Sequence, residues 1–239
     1  MNTVKINKIN TLMIAHRGLS GIEKENTLPA FVAAANRSYF GIETDVHMTR
    51  DGKFVVIHDE TTSRVAKDNV TIEKTDYSEI KNIELYDICG KKTRTDLRIP
   101  LLSEYIRICK RYEKTAVLEL KTPFTKEQVK QIVDIIKSEK YLDGVIFISF
   151  HQQDLIYVRE LCPDSPAQFL TGDISKENVD FMKKYRLDLD CQHKSLTEDN
   201  VKALHGLGLK INAWTVDDPK AGERLALWGV DYITTNILE

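Results

Sequence analysis

Three carboxylates, two imidazoles and two cationic side chains carry the chemistry this sequence offers. Glu43 and Asp45 stand two residues apart in FGIETDVHMTRDGKFVVIHD, residues 40–59. Successive side chains on a strand alternate faces, so the two acids share one face, one pleat apart. Acids placed side by side repel, and they cost solvation when buried unless a proton or a cation sits between them. The pairing points to a divalent metal. Arg50-Asp51-Gly52-Lys53 then carries an Asp-Gly turn signal, and the apolar run 54–57 returns His58-Asp59 to the neighbourhood of the acids. His58 beside a metal is read as a proton-transfer group.

Glu119-Leu120-Lys121 repeats the same arrangement: a third carboxylate and a lysine on one face, with Leu120 turned away. Glu43, Asp45 and Glu119 make a hard oxygen set suited to Mg²⁺ or Ca²⁺ rather than zinc. Arg17 and Lys121 add positive charge beside it. Acids and bases together suit a metal with an anionic substrate, most simply a phosphate. His16 and His58 then serve as general base and general acid, because an imidazole titrates near neutrality. Phe150 and Trp214 are candidates for an apolar wall against the substrate. His47, His151, His193 and His205 show no comparable pairing and are assigned to structure, with His193, just after a strand end, the one to watch.

These residues must be positioned by strands. Short apolar runs are expected to be strands at 11–15, 40–45, 115–121, 144–150, 167–171, 187–191, 210–216 and 230–234. Between them lie helix patterns: Phe31–Asn36 after an Asn26-Thr27 cap and Pro29, then 101–109, 125–138, 152–161, 176–185, 197–207 and 219–228. Strands alternating with helices of this length argue for parallel βαβ units. Eight such units close a barrel, with 54–57 counted as part of the loop region after the second strand; a doubly wound sheet is the alternative. No G-x-G-x-x-G follows the first strand, which weakens a dinucleotide-binding reading. In a barrel the C-terminal strand ends face the active site, and those ends carry His16, Arg17, Glu43, Asp45, His58, Glu119, Lys121, Phe150 and Trp214. Residues 61–98 are polar and charge-rich. They read as a small insertion, with a little helix of its own, after the second strand.

The bulk properties are those of an ordinary soluble globular protein. The chain has 239 residues, 42% hydrophobic and 29% charged, with a net charge of -2. That length suits one barrel domain spanning 1–239. The balanced charge argues against a nucleic-acid partner or a polybasic membrane anchor. Cys89, Cys109, Cys162 and Cys191 lie far apart without a C-x-x-C pair, so free thiols are expected. The polar start MNTVKINKIN carries no secretory signal pattern, and no stretch approaches a transmembrane span. A cytoplasmic location is the expectation.

Taken in order, the segments HRG (16–18), ENT (25–27), ETDV (43–46), HD (58–59), ELK (119–121), SF (149–150), WTV (214–216) and GVDYITTN (229–236) resemble the glycerophosphodiester phosphodiesterase family over nearly the whole chain. The resemblance implies an α/β fold, a single (β/α)₈ TIM barrel in which 61–98 is the family's small insertion beside the mouth. It implies hydrolysis of glycerophosphodiesters to glycerol 3-phosphate and an alcohol. It places the metal on Glu43, Asp45 and Glu119, the acid–base pair on His16 and His58, and the phosphate on Arg17 and Lys121. By the same resemblance the substrate's own glycerol hydroxyl attacks first to give a cyclic phosphate, or water attacks directly. Two positions depart from the family's pattern. Asn236 follows Thr235 where Asp is usual, and Leu101 follows Pro100 where Thr is usual; neither is one of the expected catalytic positions.

Rival readings are ranked by what they leave unused. A glycosidase would employ paired carboxylates but give no role to His16, His58, Arg17 and Lys121. A metal-dependent amidohydrolase would want H-x-H on the first strand, where H-R-G stands. A phospholipase D-like enzyme acting on lysophospholipids would want an extended apolar rim, whereas 61–98 is polar. A catalytically silent binding barrel would have no need of the complete set of acids and bases.

Overall fold

The computed structural model describes residues 2–239. In chain order the elements are β1 (Leu12–Ala15), α1 (Leu28–Ala35), β2 (Gly41–Met48), β3 (Phe54–Val56), α2 (Tyr77–Ile80), α3 (Leu102–Arg111), β4 (Thr115–Leu120), α4 (Lys126–Ser138), β5 (Val145–Ser149), α5 (Gln152–Leu161), β6 (Ala167–Thr171), α6 (Lys176–Tyr185), β7 (Asp188–Gln192), α7 (Glu198–Gly206), β8 (Ile211–Trp214), α8 (Pro219–Leu227) and β9 (Tyr232–Thr235). All strands but β3 pair in parallel, and pairing of β1 with both β9 and β2 closes the sheet. The result is the expected (β/α)₈ TIM barrel, not a doubly wound sheet.

The helices form where local chemistry starts them. Thr27 accepts from Ala30 N and Pro29 sits in the first turn of α1. Thr125 and Gln128 form a reciprocal capping box on α4. Asp218 caps α8 ahead of Pro219. In α3 the buried positions are Leu102, Tyr105, Ile106 and Cys109, and in α4 they are Val129, Ile132, Val133 and Ile136. Both sets follow a 3.6-residue stripe that faces the sheet. The outer face of the barrel supplies Met13, Ile42, Leu118 and Phe147 to the same core. Each such side chain, taken out of water, contributes about 1.5–3 kcal/mol.

The inner face is set by the two-residue period. Register pairs Asp45 with Glu119, Glu119 with Ile148, Leu170 with Asp190, and Asp190 with Asn212. These residues share the interior. Ile14, Val117, Ile146, Ile148, Leu170 and Tyr232 form a small apolar core there. His16, Lys121 and Phe150 each lie two residues past an inward residue, so they emerge at the C-terminal mouth.

Beyond the barrel wall β2 continues into an antiparallel hairpin with β3, with Val46 opposite Val56 and Met48 opposite Phe54. Val55 and Ile57 then leave the barrel core. They join Val65, Ala66, Ile72, Ile80, Ile83, Leu85, Leu97 and Ile99 in a separate apolar cluster. The segment expected at 61–98 therefore packs on the hairpin itself and has its own core. Its helical content is a 3₁₀ turn at Ile72–Lys74 and the four-residue α2. Among the described residues no helix is long and apolar enough to cross a membrane.

Candidate active site

Three buried carboxylates converge inside the mouth. Glu43, Asp45 and Glu119 are 3%, 1% and 7% exposed. Each offers one oxygen within 4.8 Å of the others, a spacing one hard cation can span. Their electrostatics call for a cation. Burial, with Asp45 and Glu119 close by, pushes the Glu43 carboxyl well above the usual carboxylate range. Burial and the Asp45 charge push Glu119 up to about 7. Asp45 is also opposed by burial, but Arg17, Lys121 and His58 outweigh it and hold its carboxyl well below the usual range. A positive charge set between the acids would relieve both shifts. The donor set, all oxygen and anionic, fits Mg²⁺ or Ca²⁺.

The loop after β1 wraps around these acids under strain. Arg17 and Asn26 both adopt left-handed backbone, at φ 54 each. Asn tolerates this conformation; for Arg it costs about 1 kcal/mol. The geometry turns the Arg17 N–H onto Glu43 Oε2 at 2.8 Å and brings its Nε within 3.6 Å of Asp45. Asn26 Nδ2 donates to Asp45 Oδ2 at 2.8 Å. Gly18, at φ +76, follows. A Cβ there would lie 2.8 Å from Ala30, so only glycine lets the loop pass α1. From the other side Lys121 Nζ reaches Glu119 at 3.0 Å and Asp45 at 3.4 Å.

Both histidines are oriented through Nδ1. Asn236 donates from Nδ2 to Asp217 at 2.6 Å, which fixes its amide so that Oδ1 faces His16. His16 Nδ1 lies 2.8 Å from that oxygen and must be the donor, leaving Nε2 with its lone pair directed toward Glu43, 4.0 Å away. Burial and the Arg17 charge lower the His16 pKa to about 4, so the ring is neutral at pH 7. His58 Nδ1 is 2.6 Å from Asp59. Asp59 in turn accepts from Arg64 Nε at 2.7 Å, and the two terminal nitrogens of Arg64 grip Glu25 at 2.7 and 2.8 Å. Glu25 closes the circuit on Arg17 at 3.0 Å. Burial opposes ionisation of Glu25, but Arg64 and Arg17 prevail and bring its carboxyl to about 2. His47, set aside as structural, donates from Nε2 to the His58 carbonyl at 3.1 Å.

His16, Arg17, Glu43, His58, Glu119 and Lys121 line one cavity of about 190 Å³ with Phe150 and Trp214. Asp45 lies directly behind them. The two aromatic rings meet edge to face, with centroids 5.7 Å apart. All nine positions singled out from the sequence are therefore in one place. His193 opens a 3₁₀ turn after β7 and is not part of the lining.

Sequence reasoning missed several members. Glu25 enters the sequence reading only as a motif letter, Asn26 as a motif letter and part of a helix cap, and Asp59 only as a neighbour of His58; in the structure Thr27 is the cap and Asn26 turns to Asp45. Arg64, inside the polar insertion, carried no signal of its own. Asn236 was set apart from the catalytic positions, yet it is the hydrogen-bond partner of His16; chain ends brought together by barrel closure are not visible as spacing. Asp190 also lines the cavity. Its signal was present: Leu187-Asp188-Leu189-Asp190 alternates with a strand's period.

Comparison with known proteins agrees with this geometry. The glycerophosphoryl diester phosphodiesterase family matches residues 16–239. A glycerophosphodiester phosphodiesterase of Bacillus altitudinis is 30% identical, over 95% of this chain and 94% of that protein. The crystal structure of a glycerophosphodiester phosphodiesterase from Parabacteroides distasonis is 30% identical, with a TM-score of 0.81 over 95% of this chain and 93% of that one. A phosphodiesterase of Oleispira antarctica, whose structure is a complex with the product sn-glycerol-3-phosphate, shares the fold at a TM-score of 0.86 and 24% identity, over 97% of this chain and 95% of that one. With the match running from the first histidine of the mouth to the last residue, this chain belongs to the glycerophosphoryl diester phosphodiesterase family and is a phosphoric diester hydrolase.

Proposed function

We propose that the enzyme hydrolyses glycerophosphodiesters to glycerol 3-phosphate and an alcohol, with a divalent metal held by Glu43, Asp45 and Glu119 and with His16 and His58 as the acid–base pair. One observation carries this reading: two of three clustered buried carboxylates, Glu43 and Glu119, line a single small cavity with two cations and two imidazoles, and Asp45 completes the cluster behind them. The metal, Mg²⁺ or Ca²⁺, would supply charge to polarise the phosphoryl oxygens. Arg17 and Lys121 would bind the phosphate from opposite sides of the acids and stabilise charge developing on its oxygens. Neutral His16, locked in its Nδ1–H form, is the general base at Nε2, and it removes a proton from the attacking hydroxyl. His58, oriented through Asp59, is the general acid that protonates the departing alcohol. The attacking group is the substrate's own glycerol hydroxyl, with a cyclic phosphate as product of that step, or water.

The test is release of glycerol 3-phosphate from glycerophosphocholine and glycerophosphoethanolamine, measured with Mg²⁺, with Ca²⁺ and with chelator. Metal-dependent release is expected and ranks the headgroups at the same time. No release from either, with metal bound, would move the substrate to another phosphodiester, a lysophospholipid first. No release together with no metal binding would overturn the catalytic reading.

A further inference from the structure

The cavity has a second polar feature that the phosphate chemistry does not use. Asp190 is 1% exposed and lines the cavity from β7, which is separated from β4 by β5 and β6 in the sheet. Its Oδ1 is fully buried and has no hydrogen-bond partner among the described residues. The groups that could have met it are engaged elsewhere. Asn212, its register neighbour on β8, donates to Gln168 at 3.3 Å and accepts from Thr234 at 3.0 Å. Leu170, its neighbour on β6, offers nothing polar from its side chain. Trp214 lies two residues past Asn212, on the same inward face and one pleat nearer the mouth. Its Nε1 is also buried without a partner. Buried polar atoms are nearly always paired, so an orphan acceptor and an orphan donor facing one cavity mark a place kept for something else.

The position constrains what that is. Ile148, Leu170 and the Trp214 ring give this part of the cavity lining its apolar surface, while Arg17 and Lys121, which would take the phosphate, follow β1 and β4. The alcohol released by hydrolysis has to leave through the open mouth, where Phe150 is 45% exposed. The enclosed side is left for the part of the substrate that does not vary. The Trp214 N–H is a donor, with nothing to offer a cationic headgroup. A hydroxyl both donates and accepts, and it matches the two orphans.

We propose that Asp190 and the Trp214 indole N–H form a subsite for the free terminal hydroxyl of the substrate's glycerol. This rests on the glycerophosphodiester reading above and deepens it. The subsite makes the enzyme selective for unacylated glycerol, because an acyl chain on that hydroxyl removes its proton and adds bulk where the barrel is closed.

The test compares two ligands by calorimetry in the presence of metal: sn-glycerol 3-phosphate, and propane-1,2-diol 1-phosphate, which lacks only the terminal hydroxyl. The wild type should prefer the first by about tenfold to a hundredfold, the range expected when a buried polar group is left unpaired. Asp190→Leu should abolish the preference. It should also raise the melting temperature of the ligand-free protein, because an orphaned buried carboxyl is replaced by an apolar side chain of similar size. Trp214→Phe, which keeps the ring and removes the donor, should reduce the preference and serves as a second readout should Asp190→Leu fail to fold. A preference unchanged in both variants overturns the subsite. So does a lowered melting temperature with equal loss of both ligands, the signature of a purely structural residue. If the wild type binds neither phosphate while still turning over glycerophosphocholine, the subsite is wrong and the hydrolase reading stands. If binding and turnover are both absent, both are wrong.

Discussion

The two walls of the cavity are built on opposite principles. On the side of β1, β2 and β4 the charged groups answer one another: Arg17 meets Glu25, Asp45 meets Asn26, His16 meets Asn236, and His58 meets Asp59, itself held by Arg64. Arg17 Nε and Asp45 Oδ1 lack a hydrogen bond there, but each has an opposite charge close by, at 3.6 and 3.4 Å. On the side of β5 to β8 the wall is mostly apolar, and among the described residues Asp190 Oδ1 and Trp214 Nε1 have neither a hydrogen bond nor an ion pair. A wall of mutually satisfied charges holds its geometry before the substrate arrives, which suits groups that must act on a charge appearing in the transition state. A wall with vacant polar atoms obtains its pairing from the substrate, which suits recognition of its unreacting part.

If the charged wall does the chemistry, damage to it should cost the most. Glu43→Gln should remove metal binding in calorimetry and lower turnover on the order of a thousandfold, the several kcal/mol a Lewis-acid metal supplies. His16→Ala should cost about a hundredfold to ten-thousandfold with the fold intact by circular dichroism. The pH dependence has a definite sign. Glu119 is raised to about 7 in the empty protein, so its ionisation destabilises the metal-free fold progressively as pH rises from about 4.5 to about 7. A metal held by the three acids would displace that proton, so the melting-temperature gain on adding metal should be larger at pH 8 than at pH 5. A pH-independent gain would remove the three acids from the metal site.

Smaller effects probe how the charged wall is braced. Arg64→Ala frees Asp59 and Glu25 together and should lower kcat by roughly tenfold to a hundredfold through misplacement of His58, with metal affinity little changed. Asn236→Asp puts a charge on the His16 Nδ1–H. It should raise the His16 pKa from about 4 and shift the acid limb of the rate profile to higher pH, since an imidazole beside a carboxylate holds its proton more tightly. An unmoved profile would deny His16 the base role. Phe150→Ala should matter least, with a rise in KM below about tenfold and kcat nearly unchanged, since the half-exposed ring contributes contact area rather than charge. A loss as large as that of His16→Ala would erase the contrast between the walls.

How far the sequence could be read follows the same division. The acids, histidines and cations were legible because strand period and strand ends determine where side chains point, and both are local properties. Alternating strands and helices were enough for the barrel. The brace was not legible. Arg64 meets Glu25 across 39 positions inside a segment whose own core depends on Val55 and Ile57. Asn236 meets His16 across 220 positions. Asp190 was hidden for another reason: a lone aspartate on a short strand is ordinary, and its lack of a partner is a property of the folded neighbourhood. The polar composition of 61–98 suggested a loose appendage, whereas Arg64 ties it to His58 and Arg17.

The pairing of His16 with Asn236 also bears on time. β1 closes the barrel against β9, and Asn236, the partner of His16 Nδ1, follows β9 directly. Contacts of such sequence separation form late, after loop closure has been met across the whole chain. On a chain growing from its N-terminus, β2 and β3 meet early through their local hairpin and bring Asp45 and His58 into one neighbourhood. His16 is oriented only once β9 and Asn236 have been made and have joined β1. A chain that has not reached that point carries the acids of the site without the contact that fixes the first imidazole.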